Sequence, residues 1–143
     1  MEGRGRPLAV LLTPGQAGDN PQLPGLLAAI RVPTGGVGRP RTRPEHVVAD
    51  KAYSARATRT LLRRRGIRAT IPEREDEKAH RRRRGRAGGR PPTFDPDRYR
   101  GRNLIKRCVN RLKQYQALAT RYAKRAELYR GLVVLAAILT WLT

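Results

Sequence analysis

Residues 45–72 read EHVVADKAYSARATRTLLRRRGIRATIP, and they decide the fold. His46 to Ala49 form a short apolar run ending at Asp50, which reads as a strand. Ser54 is a plausible N-cap for a helix with Leu61 and Leu62 at its centre and Gly66 as its stop. Ile67 to Ile71 form a second strand, closed by Pro72. A strand, a helix and a strand in 28 residues imply an α/β layer arrangement with helices against a sheet.

Working outward, Pro7–Thr13 (PLAVLLT) is another apolar run before the turn signal PGQ, and it reads as a third strand. DNPQLPGLLAAIRV reads as a helix start, with Asp19 or Asn20 as cap and Leu23, Leu26, Leu27 and Ile30 on one face. PTGGVGRPRTRP is a Gly/Pro/Arg loop. Residues 73–97 show no apolar period. An acidic cluster there precedes the run Arg81–Arg84, which reads as a long basic loop. From Pro96 the pattern is helical to the end, as two helices broken near ATRYAKRAE. The chain of 143 residues suggests one domain, 1–143.

The chain carries 32 Lys+Arg against 11 Asp+Glu, a net charge of +21. Such a field attracts polyanions, nucleic acid before anionic membrane. The arginine excess suits bidentate phosphate contacts, or it reflects a GC-rich coding sequence. Between Arg98 and Arg130 there are 11 Lys/Arg and one acid, which predicts largely non-specific, salt-sensitive DNA binding. Cys108 is the only cysteine, so no internal disulfide forms, and its place on an apolar stripe predicts a packed thiol. The run GLVVLAAILTWL has 12 residues against the roughly 20 of a membrane span, so a buried core helix is expected and no membrane partner. PLAVLL is too short for a signal peptide, so the expected compartment is the cytoplasm.

Two features invite chemistry. Asp50 should emerge at the carboxyl end of a strand, where sites in open α/β sheets gather, or it caps the following turn. His46 and His80 have no carboxylate or cysteine at ligand spacing, so both read as surface histidines. In YRGRNLIKRCVNRLK (99–113), Leu104, Ile105, Cys108, Val109 and Leu112 form an apolar stripe. Tyr99, Arg102, Lys106 and Lys113 form a second beside it, and no carboxylate lies within helical reach of Lys106.

Several separated stretches also carry a resemblance: GRGRPLAVLLTPGQAGDN, VVADKAYSARATRTLLRRRGIRATIPER, GGRPPTFD, YRGRNLIKRCVNRLKQYQALATRYAK and VVLAAILTWL. In this order they resemble the catalytic half of bacterial transposases of the DDE type, in the insertion sequence five family. The resemblance covers essentially the whole chain. It implies a ribonuclease H-like α/β fold with C-terminal helices. It also implies three carboxylates that hold two divalent ions, magnesium or manganese, roughly 4 Å apart to cut and join DNA.

Carried over by position, Asp50 matches the second family aspartate. Glu2 stands where the first aspartate is usual. Lys106 stands where the third carboxylate is usual, within a Tyr-x2-Arg-x3-Glu-x6-Lys pattern that Tyr99, Arg102 and Lys113 otherwise match. Ala123 replaces a further aspartate. Tyr99, Arg102, Lys113, Arg121 and Lys124 are implied DNA contacts.

The first, central strand is expected to be missing, with a gap or direct strand contact in its place. Lys106 is expected to face Asp50 in the manner of a metal. The resemblance therefore implies a truncated catalytic domain, defective alone, that binds double-stranded DNA at insertion-sequence ends. Its protein partner would be the N-terminal half of a transposase or another transposase copy. The alternative is a non-catalytic basic DNA-binding protein or regulator derived from a transposase.

Overall fold

The computed structural model describes residues 1–120 and 123–142, and its contacts divide into two compact units. One comprises Gly18–Pro24 and Arg43–Gly101; the other comprises Met1–Ala17, Gly25–Thr42 and Arg102–Thr143.

The first unit is built on the stretch that opened the sequence reading. Strand β1 (His46–Val48) pairs in parallel with β2 (Arg68–Thr70), with Val47 opposite Ala69. Helix α2 (Arg56–Arg64) connects them and packs against β2. Parallel strands require such a crossover. Leu62, Ile67, Thr70 and Ile71 are buried here, each below 5 % exposed. Arg59 locks α2 to the strand ends, donating to the carbonyls of Ser54 and Ile71 at 3.0 and 2.9 Å. Gly66 adopts φ +64°, the left-handed conformation that ends a helix.

Ser54 does not cap α2. Ala55 holds that position, and the buried Ser54 hydroxyl donates instead to Glu77 Oε1 at 2.7 Å. His46 is not a surface histidine. Its ring is half-buried, with Nε2 2.9 Å from Thr70 Oγ1.

The basic loop expected at 73–97 contains helix α3 (Glu75–Arg83) and a 3-10 turn, Gly85–Gly88. No apolar face announces α3, because it is held by charge. Its first turn carries Glu75, Asp76 and Glu77, and its last carries His80 to Arg83, both favourable to the helix dipole. Lys78 pairs with Glu75 at 2.7 Å, and Arg81 grips the half-buried Glu73 with two hydrogen bonds of 3.2 and 2.8 Å. Helix α4 (Pro96–Arg100) ends the unit, capped by Asp95 Oδ1, which accepts from the Asp97 and Arg98 amides.

In the second unit, the N-terminal part of which holds most of the short helix α1 (Leu23–Ala28), three helices follow: α5 (Asn103–Lys113), α6 (Gln116–Ala119) and α7 (Ala126–Leu142). Leu118, Val133 and Ala136 form its buried cluster, with Val10, Leu112, Tyr115, Tyr129 and Leu132 packed around them. The Gly/Pro loop is closed by a single antiparallel bridge between Val32 and Arg41.

The strand expected at 7–13 does not form. Among the described residues, Leu8 to Thr13 make no backbone hydrogen bonds, so the run has no ladder to belong to. The segment is held by side chains and by Trp141, whose indole N–H donates to the Pro7 carbonyl at 2.8 Å while Arg6 stacks over its ring at 4.1 Å.

Helix α7 is not the buried core helix expected. Val133, Ala136 and Thr140 are buried, whereas Leu128, Leu135, Ile138 and Leu142 are 50–77 % exposed. A helix apolar on every side needs cover on every side, and α5 and α6 cover one. Among the described residues no helix is long and apolar enough to cross a membrane.

The half-buried imidazole makes the first unit acid-sensitive. Burial, then the Arg98 and Arg68 charges, lowers the His46 pKa below its usual 6.5, with Asp95 opposing. The unfolded chain therefore takes up the proton first as pH falls. The neutral ring favours folding above about pH 6.5, and that contribution fades as pH drops through the lower folded value. Thermal melts at about pH 7.5 and about pH 5.5 should show a loss of stability on acidification that His46→Gln reduces. An undiminished loss in the variant would assign the effect to other groups.

Candidate functional site

Asp50 lies two residues beyond β1, at the carboxyl edge of the sheet, as its position in the sequence implied. Ala49 before it is buried and donates its amide to the Thr70 carbonyl at 3.3 Å, which carries the ladder up to the aspartate. Asp50 then caps the 3-10 turn Lys51–Tyr53, its Oδ1 accepting from the Ala52 amide at 3.0 Å. The edge position and the capping role thus coexist in one residue.

Tyr53 is a neighbour that the sequence did not single out. Burial raises its pKa, and the Asp19 and Asp50 charges raise it further. The Tyr53 phenol thus forms a small electrostatic group with Asp19 and Asp50 in the first unit. Its signal in the sequence was faint, because Asp19 precedes Asp50 by 31 residues and belongs to a separate turn.

Glu2 is in the second unit and is occupied locally. Its Oε1 accepts from the Arg4 amide at 2.9 Å, the Arg6 amide at 3.2 Å and Arg6 Nε at 3.1 Å. Burial works against its charge, but the Arg6 side chain and the two amides outweigh it and lower the pKa. Those bonds close the turn from residue 2 to residue 6.

Lys106 sits on α5, exposed to solvent. Asp50 belongs to the other unit, and among the described residues the Lys106 ammonium makes no ion pair or hydrogen bond. The reason is its place on the helix. Leu104, Cys108 and Leu112 turn inward, and a residue two positions from both Leu104 and Cys108 is carried to the opposite face. The apolar stripe itself is narrower than expected, with Ile105 36 % and Val109 43 % exposed. Cys108 is buried as a free thiol, and burial raises its pKa.

The second stripe of 99–113 is divided. Tyr99 belongs to α4 in the first unit and stacks on Phe94 with ring centroids 5.3 Å apart; Arg102 opens α5 in the second. Lys113 and Lys124 are exposed, and Arg121 lies outside the described residues.

Among the described residues no group of three His, Cys, Asp or Glu side chains is placed to hold a metal ion. The donor set agrees with this. Asp50 is a hard oxygen ligand, Glu2 is bound to arginine, and Lys106 is a cation that repels another. These residues do not fit a two-metal centre.

If Asp50 caps its turn, Asp50→Ala should cost about 1 kcal/mol in chemical denaturation, and Asp50→Asn should cost much less because the amide oxygen also caps. Equal losses in the two variants would show that the carboxylate charge, rather than the cap, is what the fold uses.

Comparison with known proteins places this arrangement. The family described as "Transposase DDE domain" matches residues 1–141. A Brucella ovis protein named as a transposase for insertion sequence element IS6501 is 33% identical over 142 residues, covering 99% of this chain and 93% of that protein. A Burkholderia cepacia protein named as a transposase for insertion sequence element IS402 is 40% identical over 76 residues, 53% of this chain and 36% of that protein. No solved structure matches the chain. A family match over nearly every residue, and a relative aligned along almost the whole of both chains, agree with the motifs read from the sequence: the chain belongs to the DDE transposase family.

Proposed function

We propose that this chain is a DNA-binding protein of the insertion sequence five branch, descended from a ribonuclease H-like transposase domain, that does not cut or join DNA by itself. Lys106 carries the reading. DDE transposases depend on divalent metal ions held by carboxylates, and an ammonium at the third ligand position supplies repulsion where coordination is needed. The engagement of Glu2 with Arg6 supports the same conclusion. The net charge of +21 supports duplex DNA as the substrate, and insertion-sequence ends are the natural targets.

The uncovered face of α7 supports a protein partner. Leu128, Leu135 and Leu142 recur every seven residues and are 60, 54 and 77 % exposed. The N-terminal half of a transposase, or another transposase copy, is the partner this reading assigns. The bacterial cytoplasm is the compartment it assigns. A second reading, a regulator that titrates element ends, shares the DNA binding and differs only in having lost cleavage for good.

Two measurements test the proposal. Binding to duplex DNA should weaken steeply with salt, each neutralised phosphate adding about −0.9 to the slope of log K against log salt concentration. A flat titration rules out the charge-driven mode. Incubated with supercoiled DNA and magnesium or manganese, the unaltered chain should leave the DNA intact. Nicking that disappears in Asp50→Asn would overturn the claim of inactivity. Nicking gained by Lys106→Glu with Glu2→Asp would support a repairable site and disfavour the second reading.

A further inference from the structure

Helix α5 carries two different faces. Its back is anchored: Cys108 is buried, Leu104 and Leu112 are half-buried, Leu112 joins the Leu118–Val133–Ala136 cluster, and the helix packs on α6 and α7. Its front is open. Asn103, Arg107, Asn110 and Gln114 succeed one another at spacings of four, three and four, which places them on one line along the helix. Lys106 and Lys113 flank that line on one side and Arg111 on the other. All seven are exposed, and among the described residues none of their side chains makes a hydrogen bond or ion pair.

A merely solvated helix face mixes acids and bases in pairs. Helix α3 of this protein does so, with Lys78 on Glu75. Helix α5 has no acid at all between Asn103 and Lys113. The order of its side chains also has chemical content. An amide offers a donor and an acceptor together, the pattern of an adenine edge in the major groove. A guanidinium matches the two acceptors of guanine. Lysine and arginine on the flanks suit phosphates, which position a helix without reading sequence. At 11 residues α5 is about 16 Å long, enough for roughly five base pairs, and the major groove admits an α-helix.

We propose that the exposed face of α5 reads base edges in the major groove of duplex DNA. Asn103, Arg107 and Asn110 are its specificity-determining residues, and Lys106, Arg111 and Lys113 hold the flanking phosphates. This rests on the DNA-binding reading above and adds a sequence preference to the non-specific attraction that charge alone supplies.

Selection of the full chain against a randomised duplex DNA library, with sequencing of the retained fraction, tests it. The unaltered chain should enrich a motif of about four to six base pairs. Asn103→Ala/Arg107→Ala/Asn110→Ala should abolish the enrichment and lower affinity for the enriched site at least tenfold, to that of random duplex, with steep salt dependence retained. Lys106→Ala/Lys113→Ala should keep the motif, weaken enriched and random duplexes alike, and flatten the salt slope by about two. If the triple variant misfolds, Arg107→Lys serves instead: it keeps the charge but loses the bidentate fork, and should lose preference at one base pair.

An unaltered chain that binds duplex but enriches no motif overturns the inference. So does a folded triple variant that enriches the original motif. A chain that binds no duplex even at low salt removes the DNA-binding reading itself, and this inference with it.

Discussion

Carboxylates are the scarce group in this molecule. Eleven of them face 32 lysines and arginines, and the fold uses most of the eleven for itself. Glu73 is gripped by Arg81, Asp76 by Arg74, Glu75 by Lys78, Asp95 by Arg98 and Asp97 by Arg100. Glu77 accepts from Ser54 and from the Arg74 amide, Asp50 caps a turn, and Glu2 closes the N-terminal turn with Arg6. Most of these pairs are exposed and individually weak, on the order of 0–1 kcal/mol. Their consequence is less energetic than chemical. Acids spent in this way on the chain's own bases and amides are not free to gather around a metal ion, and among the described residues no group of three is placed to hold one.

The same scarcity shapes what the surface can do. Helix α3 consumes its acids internally and so exists without an apolar face. Helix α5 has no acids to consume, and its front is left to cations and amides. Metal-dependent phosphodiester chemistry and DNA contact make opposite demands on this helix. On the reading proposed above, the first needs a carboxylate at position 106, and the second is served by a lysine there. On that reading the chain has taken the second course.

Much of the first unit was legible because its signals are local. Val47 and Val48, the leucines of α2 and the stop at Gly66 each state a conformation within a few residues. What the sequence concealed was relational. Residues 7–13 have the composition of a strand, but a strand exists only beside another, and nothing in the run says whether a partner is present. Helix α3 was hidden because it has no apolar periodicity; the order of acids before bases was its signal. Ser54 read as a cap because its attraction to Glu77, 23 residues away, has no trace in local spacing. The apolar character of α7 was plain, but how much of it would be covered depends on the amount of protein around it. For the site, Asp50 was placed correctly by strand logic alone. The occupation of Glu2 by arginine and the outward turn of Lys106 needed coordinates.

On the proposed reading these residues no longer assemble a divalent-metal centre. Calorimetric titration of the intact chain with manganese addresses it without reference to activity. No saturable heat is expected, with Asp50→Asn indistinguishable from the unaltered chain. Saturable uptake of two ions per chain, lost in Asp50→Asn, would contradict it.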